Sequence, residues 1–143
     1  MEYRKFQDKL YIRLDKGDEL VASVTAICEK ENIEVAQVQG IGGCEEVCVG
    51  VFDLKEKTYH QTKRGGMLEM ISLDGNITLN EGKPFLHAHA SFAYEEDGCI
   101  QTVSGHLLSA VIGLTGEIVL TPVDGHIRRK FIPETGIRIW DFD

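Results

Sequence analysis

The chain has 143 residues, 43% of them hydrophobic and 27% charged, a balance that excludes disordered, fibrous and low-complexity proteins. At this length about two thirds of the unfolded surface is buried on folding, so one core can hold a domain without disulfides or a structural metal. Fifteen Lys plus Arg against 23 Asp plus Glu give a net charge of -8, which opposes non-specific attraction to a polyanion such as DNA.

The opening MEYRKFQDKLYIRLDKGDEL mixes both charge signs and has no apolar h-region, so no secretory signal is expected. No run reaches the roughly 18 apolar residues of a membrane span, and a cytoplasmic location is the resulting expectation. From Asp18 to about Asn32, Leu20, Val21, Val24, Ile27 and Cys28 recur at three- and four-residue steps. That spacing predicts a helix of about four turns, with Asp18 as N-cap after Gly17. Short apolar runs punctuated by glycine then predict strands: 35–38, 46–52, 67–73, 76–79, 84–94, 100–105, 110–123 and 127–132. Turns are expected at Asp74-Gly75, at Asn80-Glu81-Gly82-Lys83 and at Glu95-Glu96-Asp97-Gly98. Connections this short cannot make parallel crossovers. The expected fold is therefore α+β, a largely antiparallel sheet with one main helix packed on one face. No repeat or linker divides the chain, so residues 1–143 read as a single domain.

Cysteines 28, 44, 48 and 99 lack the CxxC pairing of a zinc ribbon or a thioredoxin-type site. Free, mostly buried thiols are expected. The basic groups Lys55 with Lys57, Lys63 with Arg64, and Arg128-Arg129-Lys130 read as solvated turns, with a local basic patch as the other reading. Glycines in Gly40-Ile41-Gly42-Gly43 fit neither a Walker A loop nor a dinucleotide fingerprint and read as strand bends.

The run Phe85-Leu86-His87-Ala88-His89-Ala90-Ser91-Phe92 carries the chemistry. Two-residue alternation places Leu86, Ala88, Ala90, Phe92 and Tyr94 on an apolar face suited to the helix. Phe85, His87, His89, Ser91 and Ala93 fall on the other face. Imidazoles two residues apart on one strand can converge on one metal ion, although a His-x-His pair also occurs as hydrogen-bonded surface histidines. His106 is the best-placed third ligand, because the hairpin centred on Asp97-Gly98 sets residues 104–108 beside 87–91. His60 and His126 sit in loop sequence and read as surface residues. Three histidines without a fourth protein ligand form an open site, where water or a small-molecule ligand completes the shell. Zinc suits neutral imidazoles at low coordination number, with iron or nickel as other divalent transition metals for the same ligands.

Glu69 alternates with Met67, Ile71 and Leu73 and is expected on an otherwise apolar strand face. A buried carboxylate there could accept a hydrogen bond from a ligand histidine, serve as a general base, or pair with an arginine of a neighbouring subunit. The other reading is an edge position open to water.

With Gly66-Met67-Leu68-Glu69-Met70-Ile71-Ser72-Leu73-Asp74-Gly75, His87-Ala88-His89 and Gly105-His106-Leu107 in this order, the chain resembles the plant and prokaryote conserved (PPC) domain. In plants that domain follows an AT-hook in nuclear DNA-binding proteins, and in prokaryotes it usually stands alone. The resemblance implies an α+β fold, a homotrimer and a zinc-type site matching His87, His89 and His106. It also implies DNA binding by analogy, which the net charge disfavours. Two departures limit the transfer. Met67 and Leu68 stand where the plant motif has its arginine and aromatic residue, and no Arg-Gly-Arg-Pro AT-hook occurs. A metal-binding trimer with a binding or regulatory role is the first expectation, and a small trihistidine metalloenzyme with an open coordination position is the alternative.

Overall fold

A computed structural model describes all of residues 1–143. Eight strands and one helix follow in chain order: β1 (Glu2–Phe6), β2 (Lys9–Asp15), α1 (Leu20–Glu31), β3 (Ala36–Asp53), β4 (Thr58–Asn80), β5 (Lys83–Glu96), β6 (Cys99–Pro122), β7 (Arg128–Ile132) and β8 (Ile137–Asp141). Turn chemistry dictates much of this order. Glu81-Gly82 and Asp97-Gly98 have positive φ at both residues, 54° and 78°, then 52° and 73°. Those are the dihedrals of type I′ turns, whose twist matches that of antiparallel strands. The two turns chain β4, β5 and β6 into a meander.

Only one pairing is parallel, the Leu79–Arg128 contact of β4 with β7. β3 pairs with both β4 and β6, and β5 pairs with the same two strands, so the four long strands close upon themselves. The β1-β2 hairpin extends this assembly beyond β6, and the β7-β8 hairpin extends it beyond β4. A sheet-dominated α+β fold results, with the single helix of 12 residues set against β5 and β6.

Leu20, Val24, Ile27 and Cys28 of α1 join Leu86, Ala88, Ala90 and Phe92 of β5 in one buried cluster of 26 residues. The expected apolar face of β5 is thus the core face, and its small alanines let the helix approach closely. The N-cap is Glu19, not Asp18. Its carboxylate accepts from Ala22 N–H at 2.7 Å and from Ala110 N–H of β6 at 3.1 Å. Asp18 instead accepts from Asp15 N–H at 2.8 Å. Glu19 thereby caps the helix and fills the part of the β6 edge that lies between the β5 ladder and the β2 ladder.

Other expectations shift as well. Asp74-Gly75 makes no turn but lies within β4, opposite His89 and Ala88. A Cβ at Gly75 would lie 2.6 Å from the Ala88 Cβ and from the His87 carbonyl oxygen, so this glycine serves close strand approach and not a bend. β1 and β8 carry too few buried residues to have announced themselves. All four cysteines are free, with 28, 44 and 48 buried and 99 exposed. Arg128-Arg129-Lys130 forms part of strand β7, and Arg129 is half-buried.

Candidate metal centre

The outward face of β5 presents His87 and His89, as the alternation requires. His106 of β6 is the direct cross-strand partner of His89. Ring centroids lie 5.6 Å apart for His87 and His89, 5.1 Å for His87 and His106, and 5.6 Å for His89 and His106. One nitrogen from each ring falls within 4.8 Å of the others, a spacing that three ligands of one ion can adopt. Gly105 makes the His106 position possible: a Cβ there would lie 2.7 Å from the Gly50 carbonyl oxygen of β3. Tyr59 stacks on His106 at 4.7 Å and 22° and fixes its plane.

Burial holds two of the three imidazoles, His87 and His106, toward the neutral form. His106 is pushed down to about 4, first by burial and then by His87, His89 and Arg129. Burial also lowers His87, with Arg129 and His89 adding to the effect. Neutral imidazoles with available lone pairs are what a metal requires. The Nδ1 of His106 is buried without a hydrogen-bond partner, a cost that coordination or a bound ligand would offset. A neutral three-nitrogen donor set of this kind fits zinc and the neighbouring divalent transition metals.

Around the histidines the face is polar. Asp74 stands opposite His89 and Asn76 opposite His87. Gln39 Nε2 donates to Asp74 Oδ1 at 3.3 Å. One step along the strands, Ser91 and Ser104 hydroxyls lie 2.7 Å apart. A cavity of about 390 Å³ beside His89 is lined by Ser72, Asp74, Ser91 and Ser104. On the other side, Arg129 of β7 donates from Nε to Thr78 Oγ1 at 2.8 Å and from a terminal nitrogen to Asn76 Oδ1 at 3.1 Å.

Glu69 does not join this group. It is exposed, opposite Ala93, which lies four residues from His89 along β5, about 13 Å at the rise of a strand. Two-residue alternation does not run through to Leu73, because the β4-β5 register shifts between Met70 and Ser72. Met67, Glu69 and Ile71 face outward before the shift, whereas Leu73, Ile77 and Leu79 are buried after it. A bulge of this kind reverses which residues see the core. The carboxylate beside the histidines is Asp74, which an Asp-Gly turn signal disguised. Asn76 and Arg129 also escaped the sequence reading, the latter because β7 reaches the site from 40 residues further along the chain.

His60 and His126 lie on the surface, as expected. His60 Nε2 sits 3.2 Å from Glu56 Oε2 and 3.7 Å from Asp53 Oδ2 at the β3-β4 turn. His126 Nδ1 sits 2.6 Å from Glu34 Oε2.

The family model of the Plants and Prokaryotes Conserved (PCC) domain matches residues 1–124. The chain belongs to that family. Several proteins of known structure share its fold. A protein of Bacteroides thetaiotaomicron, named as a candidate DNA-binding protein, is 29% identical with a TM-score of 0.91, over 99% of this chain and 96% of that one. A metal-containing protein of Archaeoglobus fulgidus is 30% identical with a TM-score of 0.85, over 97% and 96%. A PPC protein of Pyrococcus horikoshii is 30% identical with a TM-score of 0.83, over 98% and 93%. No functionally curated protein matches the sequence. The PCC match ends before β7, so Arg129 lies outside it.

Proposed function

We propose that this PCC-domain protein binds one divalent transition metal, zinc first, on His87, His89 and His106, and acts as a small-molecule binding or regulatory protein. The observation that carries the reading is the convergence of three imidazoles within 4.8 Å on one sheet face, with burial lowering His87 and His106. The name of the Archaeoglobus relative, a metal-containing protein, supports it. The three histidines leave a coordination position for an outside ligand, and the serine-lined cavity adjoins it. When bound, such a metal supplies Lewis acidity and orients that ligand.

Assembly as a homotrimer belongs to the same proposal. The helix covers the inner face of β5 and β6, while Ile41 and Ile71 stand 55% and 54% exposed on the outside. With Phe6 and Tyr11 they line an apolar groove of about 850 Å³, surface that a second copy would withdraw from water. DNA binding is the second reading, carried by the name of the Bacteroides relative. A net charge of -8 opposes it.

Elemental analysis of the purified protein tests the metal. About one zinc, iron or nickel per chain is expected, and an apo protein that takes up none on incubation removes the reading. A cytoplasmic site of action goes with it: thiols 28, 44, 48 and 99 stay unpaired, as in a reducing compartment.

A further inference from the structure

Arg129 differs from the other guanidinium groups of the chain. Arg4, Arg13, Arg64 and Arg138 each pair with a carboxylate. Arg128 reaches Glu34 through the ring of His126. Arg129 has only neutral partners: Thr78 Oγ1, Asn76 Oδ1 and the Arg138 carbonyl at 3.2 Å. These engage three of its five N–H donors and leave two without a partner.

Its position relative to the histidines is fixed by three contacts. Asn76, its acceptor, is the cross-strand partner of His87. Phe85, over whose ring the guanidinium lies at 5.0 Å, precedes His87 by two residues on β5. Thr78, its other side-chain acceptor, is fully buried. A half-buried cation without a counterion is electrostatically incomplete, and this one occurs in a chain with 23 carboxylate side chains. A divalent metal on three neutral imidazoles would add two further positive charges beside it. The one carboxylate at the cluster, Asp74, lies across from His89, on the side away from Phe85.

We infer that Arg129 is an anion-binding residue of the trihistidine site, and that the anion is the carboxylate of a small molecule. The inference rests on the metal reading given above. A planar carboxylate matches the fork of a guanidinium. A dianion such as phosphate is disfavoured by Asp74 on the other flank, whereas a monoanion balances Arg129 alone. The cavity lined by Ser72, Ser91 and Ser104 gives room and hydroxyl partners for the polar remainder of such a molecule.

The test is a titration of the cobalt(II)-loaded protein with sodium acetate, followed in the visible spectrum of the cobalt. The wild type should respond saturably. Arg129→Gln should weaken acetate about tenfold, the loss of one charge-assisted contact, while still holding one cobalt per chain. Lys130→Gln, which removes a neighbouring charge from the same strand, should leave the acetate affinity unchanged. Arg129→Lys keeps the charge and a donor for Thr78 but loses the fork, and should weaken acetate to a smaller extent; it serves as the comparison if the Gln variant fails to fold. No response to acetate, equal affinity in the wild type and both Arg129 variants, or an equal loss in Lys130→Gln would overturn the inference and leave the metal reading standing. A tighter response to inorganic phosphate than to acetate would overturn the carboxylate assignment. A wild type that takes up no cobalt would remove the metal reading and this inference with it.

Discussion

His89 and His106 face each other directly across the β5-β6 ladder, with ring centroids 5.6 Å apart. Register alone therefore sets two of the three candidate ligands, and His87 reaches the same point from one pleat further along β5. Replacing His87, His89 or His106 with Ala should each remove most of the bound metal by elemental analysis, whereas His60→Ala and His126→Ala should not. The fold should survive in every case, because the core is built on the opposite face. Stoichiometric metal in all three variants would show that the ligands lie elsewhere.

The pH dependence of the metal-free chain follows from His106. Its folded-state value, about 4, is below the unfolded value of about 6.5. Between those limits the unfolded chain binds the extra proton, so stability is fully present above about 6.5 and declines as pH falls toward 4. Denaturant midpoints of the apo protein at pH 7 and pH 5 should show that decline, and His106→Gln should reduce it to the part that His87, also lowered by burial, contributes. A flat wild-type profile would mean that the imidazole is not buried as described.

Ile41 and Ile71 offer a test of assembly. Aspartate at both positions should convert the expected trimer to monomers in sedimentation, with little effect on the fold, since exposed substitutions usually change stability by less than about 0.5 kcal/mol. An unchanged sedimentation coefficient would place the subunit contact on another surface.

Nucleic-acid binding should be weak at physiological salt and fall steeply as salt rises. Fluorescence anisotropy with a duplex oligonucleotide measures this. Tight, sequence-selective binding would show that a local cluster outweighs the overall charge of -8.

Thiol reactivity separates the four cysteines. Burial pushes Cys28 up to about 12 and Cys44 to about 11, and Cys48 is buried between strands. Native protein should therefore release about one equivalent in an Ellman assay, from Cys99, and four after unfolding. Cys99→Ser should abolish the native signal.

Alternation in Phe85-Leu86-His87-Ala88-His89-Ala90 made the two faces of β5 legible in the sequence, because a strand flanked by tight turns has only one phase to choose. His106 followed from the Asp97-Gly98 turn for the same reason. Glu19 was hidden because Asp18 beside it is the better cap by residue type, and only tertiary contact with β6 decides between them. β1 and β8 are short and mostly exposed, with charged residues that carry no clear two-residue signal. Arg129 was beyond reach because its environment is made by β4 and β5, distant in sequence.

The register shift at Ile71 means that β4 uses one residue more than β5 over this stretch, with Met70 opposite Phe92 and Ser72 opposite Ser91. A chain that lacked the extra residue would pair regularly and still set Asp74, Asn76 and Thr78 toward the histidines and Leu73, Ile77 and Leu79 toward the core. A chain of the same length that took up the extra residue only beyond Thr78 would reverse those faces and turn the wall beside the histidines from polar to greasy. Among relatives, where the extra residue sits therefore decides what faces the histidines, and the length of the strand does not.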